Sequence, residues 1–253
     1  MDDVREQNKR SWDAMADSWF GTTALPAYGC YIPTEERLKL FPDLRGKRVL
    51  DVGCGSGHSL KWCGNRGAAE LWGLDMSTRQ IQNARRFLEE SGYAPRLFNG
   101  PMEEDCGLPE AYFDVVYSIY AIGWTVDLAA TLRRVAAYLK KGGVFIFSWD
   151  HPFMHCVEAR ENQLLFEGCY LEEELFSYRQ RGFPVTLRNR KLSTYINALA
   201  DAGLTVERVV EETDEITLAP PVEFSSDYYS PWKAKRFPCS NSHQSGEAMT
   251  PRR

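Results

Sequence analysis

Two short stretches carry residue types whose chemistry belongs together. Asp51, Gly53, Cys54, Gly55, Ser56 and Gly57 form a glycine-rich turn, and Asp75 ends the next apolar run. Glycines let the backbone approach a ligand closely, and the N–H groups that open a following helix are free donors. A carboxylate ending the neighbouring strand can accept hydrogen bonds from both hydroxyls of a ribose. Turn and acid together describe a cradle for a cofactor that contains a nucleoside. A dinucleotide fingerprint counted from Gly53 needs a third glycine where His58 stands, which makes nicotinamide binding the weaker reading. A Walker-type phosphate loop occurs nowhere in the chain.

Groups able to act on a second ligand are fewer. His151 follows an apolar run at the end of the sheet where ligands bind, and Tyr120 stands just past another; these two are the candidate catalytic residues. A hydrogen-bonded loop start through Asp150, His151 and Pro152 is the competing reading for His151. Trp19, Tyr31, Trp124 and His155 are the candidates for holding substrate. Trp19 and Tyr31 belong to an aromatic-rich N-terminal segment that either closes over the crevice or packs on the sheet edge. No third ligand completes a metal site around His151 and His155, so no metal is expected. Cys54 reads as a small filler rather than a reactive thiol.

These residues must be positioned by a regular scaffold. Apolar runs at Arg48 to Gly53, Leu71 to Asp75, Arg96 to Asn99, Phe113 to Ile119, Val144 to Phe147 and Leu204 to Val210 predict strands. Helical spacing from His58 to Arg66, Ser77 to Gly92, Asp127 to Lys140 and Leu192 to Ala202 fills the gaps. The alternation predicts an α/β fold: a doubly wound, mostly parallel, Rossmann-like sheet with helices on both faces. Residues 151–190 show no sustained period and read as an inserted lid. Few apolar residues follow Pro238, so 238–253 is expected to be a flexible tail. A final edge strand at Cys239 to His243 is poorly supported by propensity. The expected organisation is one domain over 1–237: a helical cap (1–45), a cofactor-binding half (46–150), the lid (151–190) and a C-terminal half (191–237).

Composition removes several classes. Hydrophobic residues at 43% and charged residues at 26% are those of a globular protein. A net charge of -5 gives no general attraction to phosphate backbones, so nucleic acid is the less favoured partner. Seven cysteines without a Cys-x-x-Cys pair argue against a disulfide framework and for reduced thiols. The densest apolar run, Val144 to Trp149, is far short of a membrane span, and the N-terminus lacks a signal peptide's apolar segment. A cytoplasmic protein without a membrane partner is expected, and a homodimer is compatible with all of this.

Val49 to Gly57, Leu74 and Asp75, Phe113 to Ser118 and Leu139 to Gly143 resemble the class I S-adenosylmethionine-dependent methyltransferases. Ile32 to Glu35, Ser148 to Phe153 and Arg190 to Thr194 are similar to the bacterial small-molecule branch. The resemblance implies S-adenosyl-L-methionine as cofactor, with Gly53 to Gly57 against its methionine moiety and ribose, and Asp75 on the ribose hydroxyls. It implies Met76 against the adenine, Met102 and Glu103 at the adenine edge, and Ser118 and Ile119 toward the sulfonium. Two positions depart from the pattern: Pro101 stands where many relatives carry an adenine-binding aspartate, and Gly123 where they often have a histidine. The implied reaction is in-line methyl transfer to oxygen or nitrogen of a small-molecule acceptor. A non-catalytic module that binds the same cofactor and a nucleic-acid methyltransferase are the alternatives, the latter supported by Lys233, Lys235 and Arg236.

Overall fold

A computed structural model describes residues 2–219 and 221–246. Helix α1 (Asp2–Met15) and one-turn α2 (Glu35–Leu38) precede β1 (Arg48–Val52), α3 (His58–Gly64), β2 (Glu70–Asp75) and α4 (Thr78–Glu90). The alternation continues through β3 (Arg96–Asn99), β4 (Phe113–Ile119), α5 (Leu128–Tyr138) and β5 (Leu139–Asp150). The insertion after β5 contains two hairpins, β6 (Val157–Arg160) with β7 (Gln163–Phe166) and β8 (Leu175–Gln180) with β9 (Phe183–Arg188). It is followed by α6 (Leu192–Asp201), β10 (Thr205–Val210), one-turn α7 (Glu215–Leu218) and α8 (Pro231–Ala234), and β11 (Ser240–Gly246).

The main sheet runs β10-β11-β5-β4-β1-β2-β3. Strand β1 pairs in parallel with β2 on one side and β4 on the other, and β11 is antiparallel to both its neighbours. Chain order reverses at β1, so a crevice opens beyond the carboxyl ends of β1 and β4. Every residue of β4 is buried, as expected of a parallel strand covered on both faces. Val49, Val115 and Tyr117 face Leu60, Ile81 and Leu88 of α3 and α4, while Leu50 and Val116 face Leu132 and Val135 of α5 and Leu199 of α6. Ser77 caps α4 by accepting from Gln80 N, and Asp127 caps α5 by accepting from Ala130 N at 2.9 Å. Helix α5 stops at Tyr138, short of the expected Lys140, because β5 starts at Leu139.

The end of the chain corrects two expectations. Residues 240–246 are no flexible tail, and the doubtful last strand is β11, an interior strand between β5 and β10. Propensity misled because an interior strand is held by two backbone ladders whatever its side chains. Its small serines fit between crowded neighbours, and His243 stacks on Phe147 with centroids 4.5 Å apart. Residues 247–253 of the expected tail lie outside the described residues.

Burial makes β11 pH-sensitive. Neither ring nitrogen of His243 has a hydrogen-bond partner, and desolvation, with His151 nearby, pushes its pKa down to about 4. An unfolded histidine titrates near 6.5, so the fold's advantage is complete above about 6.5 and is lost as pH falls toward 4. The loss reaches about 2 kcal/mol at pH 5. His243→Gln is expected to lack it: urea unfolding at pH 7.5 and pH 5 should show wild type losing stability relative to the variant. A constant difference between the two proteins would contradict the assignment.

Candidate active site

At the end of β1 the chain turns through Gly53 (φ 82), Gly55 (φ 50) and Gly57 (φ 81), backbone geometry that side chains disfavour. Gly53 N and Cys54 N both donate to Leu74 O, at 2.7 and 3.0 Å, tying the turn to β2. A Cβ at 53 would collide with the side chain of Ala121, whereas Gly55 faces open space. Asp75 closes the cradle, its Oδ2 accepting from Gly55 N at 2.9 Å and its Oδ1 from Ser77 N at 2.8 Å. Burial pushes the Asp75 carboxyl up to about 6. Asp51, buried in β1, is also raised, by burial first and then by the charge of Asp75.

Above the turn lies a cavity of about 1010 Å³, its open mouth included. Asp51, Gly53, Cys54, Gly55, Ser56, Asp75, Met76, Met102, Glu103 and Ile119 line it, as do Tyr120, Trp19 and Trp124. Gly57 and Ser118 are not among its walls: Gly57 is the N-cap of α3, and Ser118 is wholly buried in β4. Pro101 lines the cavity beside Glu103, whose carboxyl is raised by burial and lies 3.6 Å from Arg5 Nη1.

Three substrate-side candidates are placed elsewhere. His151 Nε2 lies 2.8 Å from Glu211 Oε1, and its Nδ1 accepts from Phe153 N at 3.3 Å. Both nitrogens are thus engaged, Nδ1 within the loop that follows β5 and Nε2 with a carboxylate just past β10, and burial lowers the pKa. His151 and His155 line a separate hollow of about 360 Å³, with its mouth counted. Tyr31 packs on Met154, Ala234 and Cys239. Position at a strand's carboxyl end predicted the right end of the sheet but not which wall each loop residue joins. Gly123 has a plain reason: a Cβ there would run into the indole of Trp149.

Trp12, one of the N-terminal aromatics placed either over the crevice or on the sheet edge, lines the cavity from α1, and sequence reasoning missed the further walls Arg5 and Asn8 of α1, Thr22 and Thr23, and Gln80 of α4. Trp12 packs edge-on to Trp124 at 5.1 Å and lies 5.9 Å from Trp19, roofing one end with indoles. The available signal was the amphipathic pattern from Asn8 to Phe20, whose buried residues in α1 are Asn8, Ser11 and Met15, but it left open whether the helix closes over the crevice or packs on the sheet edge. Two lining residues carry buried polar atoms without partners, the Trp19 indole N–H and Gln80 Oε1. A buried donor or acceptor left unpaired costs about 1–3 kcal/mol, so these atoms fit a polar ligand that supplies both.

A methyltransferase-domain profile matches residues 50–147. An uncharacterized protein of Haemophilus influenzae is 31% identical over 188 residues, covering 69% of this chain and 73% of that one. A ubiquinone biosynthesis O-methyltransferase of Neisseria meningitidis serogroup C is 35% identical over 129 residues, 49% of this chain and 54% of its own. The chain thus spans about half the length of that O-methyltransferase. The crystal structure of an S-adenosylmethionine-dependent methyltransferase from Mesorhizobium loti superposes with a TM-score of 0.69 at 25% identity, covering 83% of this chain and 94% of that one.

Proposed function

Because the chain belongs to the class I S-adenosylmethionine-dependent methyltransferases, we propose that it methylates a small molecule admitted to the tryptophan-roofed end of the cavity. S-adenosyl-L-methionine is the cofactor, and the residues present fit it. Asp75 would hold the ribose hydroxyls, the Gly53–Gly57 turn the methionine side, and Met76, Met102 and Glu103 the adenine. When bound, the cofactor supplies an electrophilic methyl group on a cationic sulfur. The chain's part is to align an acceptor atom with that methyl and exclude water, since charge disappears in the transfer.

One observation carries the choice of a small acceptor: α1 and the indoles of Trp12, Trp19 and Trp124 enclose the cavity as a roofed pocket. The O-methyltransferase relatives favour oxygen over nitrogen as the acceptor atom. A basic groove for nucleic acid has little support, because Lys233 is buried with Nζ 3.3 Å from Val157 O, and Arg236 lies over Trp232. The reading includes the cap (1–45) and the 151–190 insertion as builders of the acceptor side, within a cytoplasmic enzyme. The test is transfer of labelled methyl to a panel of phenols, amines and thiols, with a duplex and a structured RNA alongside. Product on a small acceptor supports the reading. Product on nucleic acid alone, or tight cofactor binding with no product, overturns it.

A further inference from the structure

The β8–β9 hairpin is a two-stranded sheet with one edge taken and the other free. Asn8 binds both the N–H and the C=O of Thr186, and Ser11 Oγ donates to Pro184 O, so these β9 residues turn their backbone groups toward α1. Antiparallel ladders alternate hydrogen-bonded with non-hydrogen-bonded pairs. Thr186 lies opposite Ser177, Pro184 opposite Arg179 and Arg188 opposite Leu175. Leu175, Ser177 and Arg179 therefore point their own N–H and C=O groups away from β9, while Glu174 O, on the other parity, accepts from Asn189 N. Among the described residues no strand lies on that outer side of β8.

Edge strands are usually blunted by bulges, proline or charges. Strand β10, at an edge of the main sheet, has a register shift between Val206 and Arg208, whereas β8 pairs without a shift and contains no proline. All of its residues but Gln180 are exposed, Leu175, Phe176 and Tyr178 included. Phe176 and Tyr178 share a face and stack with centroids 5.7 Å apart. Charge is divided by end: Glu172, Glu173 and Glu174 lead into the strand, and Arg179 and Arg181 close it. Such a strand is complementary to itself turned end for end.

We propose that β8 pairs antiparallel with β8 of a second copy of this chain, about a two-fold axis at Ser177. Ser177 then meets the partner's Ser177 and Leu175 the partner's Arg179, and each such pair exchanges two hydrogen bonds. Phe176 comes opposite the partner's Tyr178, with Cβ atoms about 4.5–5.5 Å apart, so the stacked rings continue across the interface. At each end the acids of one copy approach Arg179 and Arg181 of the other, whereas a parallel arrangement would set like charges together. A register centred on Tyr178 would instead face Phe176 with Gln180 and Glu174 with Gly182, losing both the ring pairs and the charge match.

The pairing bears on the cofactor cavity. Strand β9 anchors α1 through Asn8, and Arg181, in the turn of the hairpin, donates to Ser18 O and lies over the Trp19 ring, 4.0 Å from its centroid. Asn8 and Trp19 both line the cavity. A partner strand that holds β8 in place therefore also steadies the cavity's roof, and a bound cofactor favours the paired form by the same amount.

Sedimentation equilibrium of the full chain over a concentration series tests the pairing, with the wild type expected to dimerise. Ser177→Pro removes an N–H that the hairpin itself does not use, and should raise the dimer Kd at least about tenfold by taking away the two central hydrogen bonds. Arg179→Glu, at an exposed position, sets like charges together at both ends and should raise it about threefold to tenfold. Melting and S-adenosylhomocysteine affinity report intact folds. Register is read by cross-linking under oxidised glutathione, in a Cys169→Ser background that removes the exposed native thiol. Ser177→Cys should give a covalent dimer, because Cα atoms about 5.5 Å apart suit a disulfide, and Tyr178→Cys should not. S-adenosylhomocysteine should leave more slowly above the dimer Kd than below it, and one off-rate at both would sever the link to the roof. A wild type that stays monomeric, or a dimer indifferent to both Ser177→Pro and Arg179→Glu, would overturn the pairing. So would a monomer that floats with phosphatidylcholine vesicles, which would assign the exposed apolar residues to a lipid surface.

Discussion

Asp75→Ala is expected to weaken S-adenosylhomocysteine binding by at least about 100-fold, because hydrogen bonds to a charged group contribute about 1.5–3 kcal/mol each and a ribose offers two. The carboxylate is already oriented by Gly55 N and Ser77 N, so little reorganisation is needed on binding. The same group gives binding a pH dependence of known sign. Burial sets the Asp75 pKa in the free protein at about 6, and the ionised form is the one that accepts from both hydroxyls. Binding therefore lowers that pKa, and affinity falls as pH drops below about 6, by up to about tenfold per unit. Calorimetric titration from pH 8 to pH 5 measures both effects, with Asp75→Asn expected to bind weakly and without the pH dependence. Unchanged affinity in Asp75→Ala would mean that the ribose lies elsewhere.

What could be read from the residues was what depends on neighbours in sequence. The β1 turn and Asp75 were legible because strand, glycines and acid occur in local order, and ten of the twelve predicted cofactor residues line one cavity. What failed depends on distant partners. His151 read either as a base at a strand end or as part of a hydrogen-bonded loop start, and the partner of its Nε2, Glu211, lies 60 positions away. Strand β11 has the composition of a loop, but its backbone is paired on both sides by β5 and β10. Trp149 fills the space beside Gly123 from a different strand, which no local pattern announces. Helix α1 read either as a cover over the crevice or as a helix on the sheet edge, and its anchor on β9 could not be found because it is 178 positions away.

That anchor carries the second large effect. Asn8 Nδ2 donates to Thr186 O at 2.7 Å and Asn8 Oδ1 accepts from Thr186 N at 2.8 Å, so a side-chain amide takes the place of a strand partner on the free edge of β9. Ser11 Oγ adds a bond to Pro184 O at 2.6 Å. At its other end the segment is held to α4, where Asp13 accepts from Ser77 Oγ at 2.7 Å and Arg79 N at 3.0 Å, and Asp17 pairs with Arg79. The strap so formed roofs the cavity with Arg5, Asn8 and Trp12. Asn8→Ala leaves a buried donor and a buried acceptor unpaired, at about 1–3 kcal/mol each, unless α1 lifts away from β9. We expect the S-adenosylhomocysteine off-rate, measured by stopped-flow displacement, to rise about 10–100-fold while the on-rate changes little. Gln7→Ala, which removes only a bond to Thr186 Oγ1, should change the off-rate less than threefold. An unaltered off-rate in Asn8→Ala would show that the cofactor leaves without α1 moving. A raised one would mean that the β8–β9 hairpin, through a single asparagine, holds the cover over the cofactor, so that any ligand that stabilises the hairpin also slows cofactor exchange.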